Sequence, residues 1–195
     1  MIVRSLLLLF FITASAFAQR EILEDPSFKK DDKYWYLRKG NEYNKLKAEF
    51  KKEVFSLDIS HTSEVYYLSL LTPASLKAGK TYKLTMEFKG EGEGTIKVNY
   101  RNHNNVFKKK KNSKNNKYSN LGLAQILKPS SDWQKATLYF ESIKNPVSDF
   151  EEYIIIMMGE FQGKINLRKL SLKEATDAPK PLGKVGKTTS VENVD

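Results

Sequence analysis

Between Gly79 and Gly90 the chain alternates: Tyr82, Leu84, Met86 and Phe88 fall on one parity, Thr81, Lys83, Thr85, Glu87 and Lys89 on the other. Successive side chains of an extended backbone point to opposite faces, so the pattern predicts a half-buried strand closed by a glycine at each end. The same period recurs along the chain. Trp35-Tyr36-Leu37 is a short apolar piece between turn-like flanks; Val54, Phe55, Leu57 and Ile59 predict a strand ending near Ser60; Val65 to Leu71 predicts another, stopped by Thr72-Pro73. Gly90-Glu91-Gly92-Glu93-Gly94 reads as a hairpin connection that returns Thr95 to Tyr100 as the partner of the strand before it. Leu121, Leu123 and Gln125 to Leu127 resume extended structure, and a Ser130 to Trp133 turn leads into Gln134 to Phe140. Trp133 is assigned to structure.

Tyr153 to Met158 is apolar on both parities, rich in β-branched residues and stopped by Gly159, which predicts a central strand covered on both faces. Ile165, Leu167, Leu170 and Leu172 close the series, and the parity change between Leu167 and Leu170 predicts a β-bulge. About eight short strands with turn signals at roughly ten-residue spacing, and no helical period, predict an all-β fold, an antiparallel β-sandwich or jelly roll.

The two ends read differently. Arg4, the apolar run Leu6 to Ile12 and Ala16-Phe17-Ala18 predict a signal peptide over residues 1–18, cleaved after Ala18, and hence a secreted or periplasmic protein. The run is shorter than the ~18 apolar residues a membrane span needs. Residues 19–174 are expected to form one domain. Residues 175–195, with Pro179, Pro181, Gly183 and Gly186, offer little to bury and are expected to be a disordered tail. The sequence holds no cysteine, which excludes disulfides, thiolate metal sites and a lipid-bearing cysteine.

The formal charge is +10, and much of the excess has one address. Arg101 to Tyr118 contains Arg101, Lys108, Lys109, Lys110, Lys111, Lys114 and Lys117, six Asn and no acid. Lys and Asn are poor strand formers, so an exposed loop or hairpin tip is expected there. It is either a solvated tip that protects a sheet edge, or a patch for anionic polymers whose binding would be salt-sensitive. Nucleic acid is not an expected partner of an exported chain.

Catalysis finds no support in the motifs. His61 and His103 stand alone, no G-x-S-x-G elbow occurs, and Gly186-Lys187-Thr188 mimics a P-loop ending but has Pro181 where the first glycine belongs. Asp31-Asp32 and Glu151-Glu152 are read as loop and strand-edge charges. No enzyme is expected.

Several landmarks occur in a familiar order: Asp25 to Phe28, then Trp35, the Leu76 to Phe88 strand containing Gly79-Lys80-Thr81-Tyr82, the Asp132 to Lys135 turn, and the closing Gly163 to Leu172 strand. Over nearly all of Gln19 to Glu174 this order resembles the cenC-like carbohydrate-binding modules (families four and nine) of the galactose-binding-like jelly-roll superfamily. The resemblance implies a non-catalytic module that holds polysaccharide in a groove or at loop tips. It also implies a structural calcium, bound by an acid just after the opening Phe and an Asp in the closing strand. Here those positions are Lys29 and Arg168, and two cations cannot ligate a hard metal ion, so that site is expected to be lost and no cofactor is expected.

Sugar sites pair flat aromatic faces with planar polar groups. The candidates are Trp35, Tyr36, Tyr66 or Tyr67, Tyr100, His103, Phe107 and Tyr118, with Asn102 and Asn104 as amide donors. For Tyr66 and Tyr100, on or at the ends of strands, core or sheet-edge packing is the competing reading. The expected function is polysaccharide binding, acidic polymers included, through loop tips and one sheet face. The alternative is an envelope interaction protein tethered through its Lys/Asn loop.

Overall fold

Alternation in the sequence becomes extended backbone nearly throughout. The computed structural model describes residues 19–39, 46–59, 68–107, 118–180, 182 and 186–194. Its strands are β1 (Tyr36–Arg38), β2 (Lys47–Lys51), β3 (Val54–Ile59), β4 (Ser69–Pro73), β5 (Thr81–His103), β6 (Asn120–Leu127), β7 (Gln134–Glu141), β8 (Glu151–Glu174) and β9 (Lys187–Asn193), with one 3-10 turn at Asp31–Lys33. The signal-peptide segment 1–18, Tyr66, Tyr67, His61 and the Lys108 to Lys117 run lie outside the described residues.

The frame is a ribbon of the two long strands. β5 and β8 pair antiparallel from Tyr82↔Glu174 to His103↔Glu151. Beside its first half, β7 lies on β5 and β3 on β8; beside its second half, β6 lies on β5 and β4 on β8. β9, β2 and β1 extend these flanks along β7, β3 and β4. The nine described strands thus form one antiparallel sheet that folds over into two layers. Their inner faces share one core: Leu84, Met86, Phe88, Ile165 and Leu167 from the first layer meet Ile96, Val98, Tyr100, Ile154 and Ile156 from the second. The Tyr100 and Phe140 rings, one from each layer, lie 5.8 Å apart.

The fold-over replaces the expected hairpin. Thr95 to Tyr100 does not return along Thr81 to Lys89; both stretches belong to β5, and β8 is the partner of each. A run of glycines and acids fits a hairpin and a sharply bent ladder equally well. What decides between them is the opposite strand, which supplies Gly163 across from Gly92.

Other expectations meet their elements. At the predicted bulge, Lys169 and Leu170 stand opposite Met86 alone, because Glu87 pairs with Arg168 and Thr85 with Ser171. Lys169 takes a φ of 50°, and Leu170, now turned inward, gives its N–H to the Pro26 carbonyl at 3.0 Å. Tyr153 to Met158 is central, between β4 and β5. Trp133 packs beneath the Arg168 guanidinium at 3.9 Å.

Two further strands were not predicted. β2 is a mostly charged edge strand joined to β3 through Lys52 and Glu53, both at positive φ. The tail expected to be disordered contributes β9, registered on β7 from Phe140↔Lys187 to Gln134↔Asn193. It is held by backbone pairing on a free edge and not by burial, so a search for apolar residues passes over it; its Thr188, Thr189 and Val191 are good strand formers.

Candidate functional site

The outer face of the second layer is unusual for an open sheet surface because its floor is apolar. The register places side chains in rows across it. Arg38, Ser69, Met157 and Lys97 form one; Tyr36, Leu71, Ile155 and Asn99 the next; Pro73, Tyr153 and Arg101 a third; Glu151 and His103 a fourth. Leu71, Tyr153 and Ile155 are buried in a small cluster separate from the main core, with Val106 and Met157 against it. This is why Tyr153 to Met158 is apolar on both parities: one parity feeds the core, the other floors this face.

Rings stand around the floor. His103 and Tyr118 stack with centroids 4.7 Å apart and planes at 16°. Tyr36 meets Phe107 edge-on at 6.0 Å, and both are exposed. The start of the β5–β6 connection is fastened to the face: the Tyr153 hydroxyl accepts from Val106 N–H at 3.3 Å and donates to Glu151 at 2.8 Å, and Asn105 donates to the same carboxylate. Burial and the Glu151 bond push the Tyr153 hydroxyl well above the usual tyrosine range.

Between the His103–Tyr118 stack and β1 is a recess of about 170 Å³, walled by Arg38, Arg101, His103 and Tyr118 and floored by Leu71, Ile155 and Met157 with Ser69. Arg38 Nη1 lies 2.8 Å from His103 Nε2, while His103 Nδ1 lies 3.0 Å from the Asn104 carbonyl. A guanidinium only donates, so Nε2 is the acceptor and Nδ1 carries the proton. The ring is therefore neutral. Burial is the main cause holding the His103 pKa below its usual value; the Asn104 carbonyl opposes this, and Arg38 and Arg101 add to it. Arg101 is pulled below the usual arginine value, chiefly by burial and also by Arg38, against a contrary pull from Tyr118. Its guanidinium sits 5.8 Å from the Tyr118 ring centre, and its buried Nε has no hydrogen-bond partner among the described residues.

The structure therefore brings together four of the expected ring residues, Tyr36, His103, Phe107 and Tyr118, with Arg101 beside them. Asn104 reaches the Tyr118 hydroxyl at 3.4 Å. Trp35, Tyr100 and Asn102 are instead buried and do not reach this face. Trp35 is fully buried, packs on Phe28 at 4.7 Å and donates its indole N–H to the Asp25 carbonyl at 2.8 Å. Tyr100 points into the core and donates to Glu152. Asn102, also fully buried, closes the base of the β5–β6 connection through Ser119 N–H at 2.6 Å and Asn145 at 2.9 Å. Tyr100 and Asn102 share parity with Ile96 and Val98, which is the physical reason they turn inward. Arg38, Ser69, Leu71, Ile155 and Met157 were not singled out from the sequence, because only the β1–β4–β8 register gathers them.

At the positions where the resemblance implies calcium ligands, Lys29 Nζ pairs with Glu53 at 2.9 Å, and Arg168 Nε donates to Glu87 at 2.5 Å. Neither side chain offers an oxygen, so neither can itself ligate a calcium ion. Among the described residues no group of three or more His, Asp or Glu is placed to hold a metal, and no helix is long and apolar enough to cross a membrane.

No protein-family model matches the chain, and no curated protein matches it in sequence. Solved structures match it in fold. A CBM4 structure superposes with a TM-score of 0.59 at 15% identity, covering 78% of this chain and 99% of that one. The second N-terminal cellulose-binding domain of Cellulomonas fimi β-1,4-glucanase C gives 0.58 at 13% identity, covering 82% and 97%. A putative sugar-binding protein from Bacteroides thetaiotaomicron gives 0.54 at 12% identity, covering 80% and 100%. The chain has the β-sandwich fold of carbohydrate-binding modules.

Proposed function

We propose that this chain is a non-catalytic polysaccharide-binding module and that the outer face of its second layer is the binding surface. One observation carries the reading: a recess walled by His103 and Tyr118 and floored by Leu71, Ile155 and Met157 opens on a sheet face that also exposes the Tyr36 and Phe107 rings. Rings offer sugar C–H faces a large contact area at little entropic cost, and the Tyr36 hydroxyl and the Arg101 guanidinium can bond sugar hydroxyl groups. The fold likeness to the cellulose-binding domain and the CBM4 structure supports the same class. The role is binding, with no bond made or broken. The test is calorimetric titration of the protein with glucan, xylan and uronate oligosaccharides. Saturable binding that Tyr36→Ala and Phe107→Ala each weaken about tenfold supports the reading; wild-type affinity in both variants overturns the placement of the site.

Export completes the proposal. Arg4, the Leu6 to Ile12 run and Ala16-Phe17-Ala18 support removal of residues 1–18, and intact-mass measurement of the protein from the producing cell should give a chain beginning at Gln19. The alternative, a tether through Lys108 to Lys117, draws on the connection leaving from Phe107 and returning at Tyr118, on the rim of this same face. It expects acidic polymers to bind and high salt to release them.

A further inference from the structure

We infer that the recess between Arg38 and Arg101 is a subsite for an oxyanion substituent on a sugar ring, a carboxylate or a sulfate, so that the module selects acidic over neutral polysaccharide. This rests on the polysaccharide-binding reading and names the substrate class of that surface.

Arg101 is the starting point. A guanidinium presents its donors in a fixed fork that matches the paired oxygens of a carboxylate or sulfate. Here the Nε donor is buried and has no hydrogen-bond partner among the described residues. A buried donor left without an acceptor is costly, and a shift of the Arg101 side chain toward an oxyanion in the recess it lines would remove that cost while gaining a charge-assisted bond. Arg101 also makes no ion pair among the described residues. The nearest acids by register are engaged by neutral donors: Glu151 by Tyr153 and Asn105, Glu152 by Tyr100 and the Leu76 N–H.

The rest of the recess fits the same ligand. No carboxylate is among its lining residues, whereas Arg38 and Arg101 both are. The neutral His103 ring, committed through Nε2 to Arg38 and through Nδ1 to Asn104, contributes a flat wall and no charge. The Leu71, Ile155 and Met157 floor excludes water from one side, so attraction to an anion is screened less than it would be at an exposed lysine. At about 170 Å³ the space suits one substituent and not a whole oligosaccharide. The remainder of the sugar chain then lies along Tyr36 and Phe107.

The test uses the full protein and three probes: a galacturonate oligosaccharide, the same oligosaccharide with its carboxylates reduced to alcohols, and a sulfated oligosaccharide of neutral backbone. The expected result is that the reduced probe binds about tenfold or more weakly than the better of the two acidic probes. Which acidic probe is preferred identifies the oxyanion. Arg101→Met should shrink that gap to about threefold or less, while replacing Lys108 to Lys111 with Ser leaves it in place. Equal binding of acidic and reduced probes, or a gap that survives in Arg101→Met, overturns the inference and leaves the polysaccharide reading standing. Absence of binding to every probe and to neutral glucan and xylan overturns both. The comparison of probes on the wild-type chain needs no variant, so a misfolded Arg101→Met protein would not rescue the idea.

Discussion

Gly92 and Gly163 stand opposite one another where the β5–β8 ribbon crosses between layers, with φ of 153° and 130°. A Cβ on Gly92 would lie 2.0 Å from the Gln162 carbonyl oxygen, and one on Gly163 would lie 2.2 Å from that of Glu91. Both contacts are to backbone, which cannot swing away. Gly92→Ala should therefore cost about 2–4 kcal/mol and lower the unfolding midpoint by roughly 5–15 °C. Gly79 supplies the control: its φ is also positive, at 75°, but a Cβ there meets nothing within 4 Å. Gly79→Ala should cost only about 1 kcal/mol. Equal midpoints for the two variants in thermal denaturation would show that the crossover is not set by this close approach.

A second prediction concerns Glu87, which accepts from Arg168 Nε at 2.5 Å and Lys169 Nζ at 3.0 Å and is nearly buried beside the bulge. Burial pushes its pKa up, but the bonds from Arg168 and Lys169 together outweigh it, and the net shift is downward. A carboxylate with a folded pKa below its unfolded value contributes stability above about pH 4.5, and that stability is lost as pH falls through the folded pKa. Glu87→Gln should then cost about 2 kcal/mol at neutral pH and flatten the fall in stability below about pH 4.5. Urea unfolding at a series of pH values measures both; parallel curves for the two proteins would contradict the ion-pair account.

How much of this was readable beforehand follows from what is local and what is not. Alternation within one strand is local, so the half-buried strand at Tyr82 to Phe88 and the parity slip before Leu170 could be read directly. The same parity, continued from Ile96 and Val98, already turns Tyr100 and Asn102 inward. Pairing is non-local: that Gly92 meets Gly163 rather than closing a hairpin depends on a segment some seventy residues away. The site shows the same division. His103, Phe107 and Tyr118 stand out as rings in polar surroundings, and Tyr36 as an aromatic in a short apolar piece. Arg38 on β1 and Ile155 on β8 become neighbours only through strand β4, which pairs with both. Edge strand β9 carries little apolar residue to signal it, since backbone pairing holds it, whereas β2 sets Ala48 and Phe50 against the core from an alternation too short to stand out.

The third prediction is metal independence. A calcium site occupied a hundredfold above its dissociation constant would stabilise the fold by about 2.7 kcal/mol, a shift of several degrees at this size. With Lys29 and Arg168 at the two positions, adding calcium or a chelator should leave the unfolding midpoint unchanged. A rise in midpoint with calcium would mean that other oxygens have taken over the role.

His103 supports a pH prediction of the opposite kind from an ordinary stabilising histidine. Burial foremost, with Arg38 and Arg101 nearby, holds its folded pKa below the unfolded value, and Glu151, its register partner, is bonded to Tyr153 and Asn105. Above about pH 6.5 the ring is neutral in both states and contributes no pH dependence. As pH falls below that value the unfolded chain takes up the proton first, so stability declines until the folded pKa is reached. His103→Gln should lack this component below about pH 6.5 while keeping the rest of the profile. Calorimetric midpoints across that range, compared between the two proteins, measure the difference.

The last prediction separates neighbours in sequence by face. Trp35 and Tyr36 are adjacent aromatic residues, yet one is fully buried against Phe28 and the other stands exposed on the outer face beside Phe107. Trp35→Ala removes a packed core ring and leaves the Asp25 carbonyl without its indole donor, which should cost about 3–5 kcal/mol of stability. Tyr36→Ala removes an exposed ring and should change stability by less than about 1 kcal/mol while weakening polysaccharide binding about tenfold. Denaturant unfolding and calorimetric titration on the same two variants give the four values. A Tyr36→Ala protein that loses stability instead of affinity would mean that this face is a second packing surface, and the binding site would then have to be sought elsewhere on the sandwich.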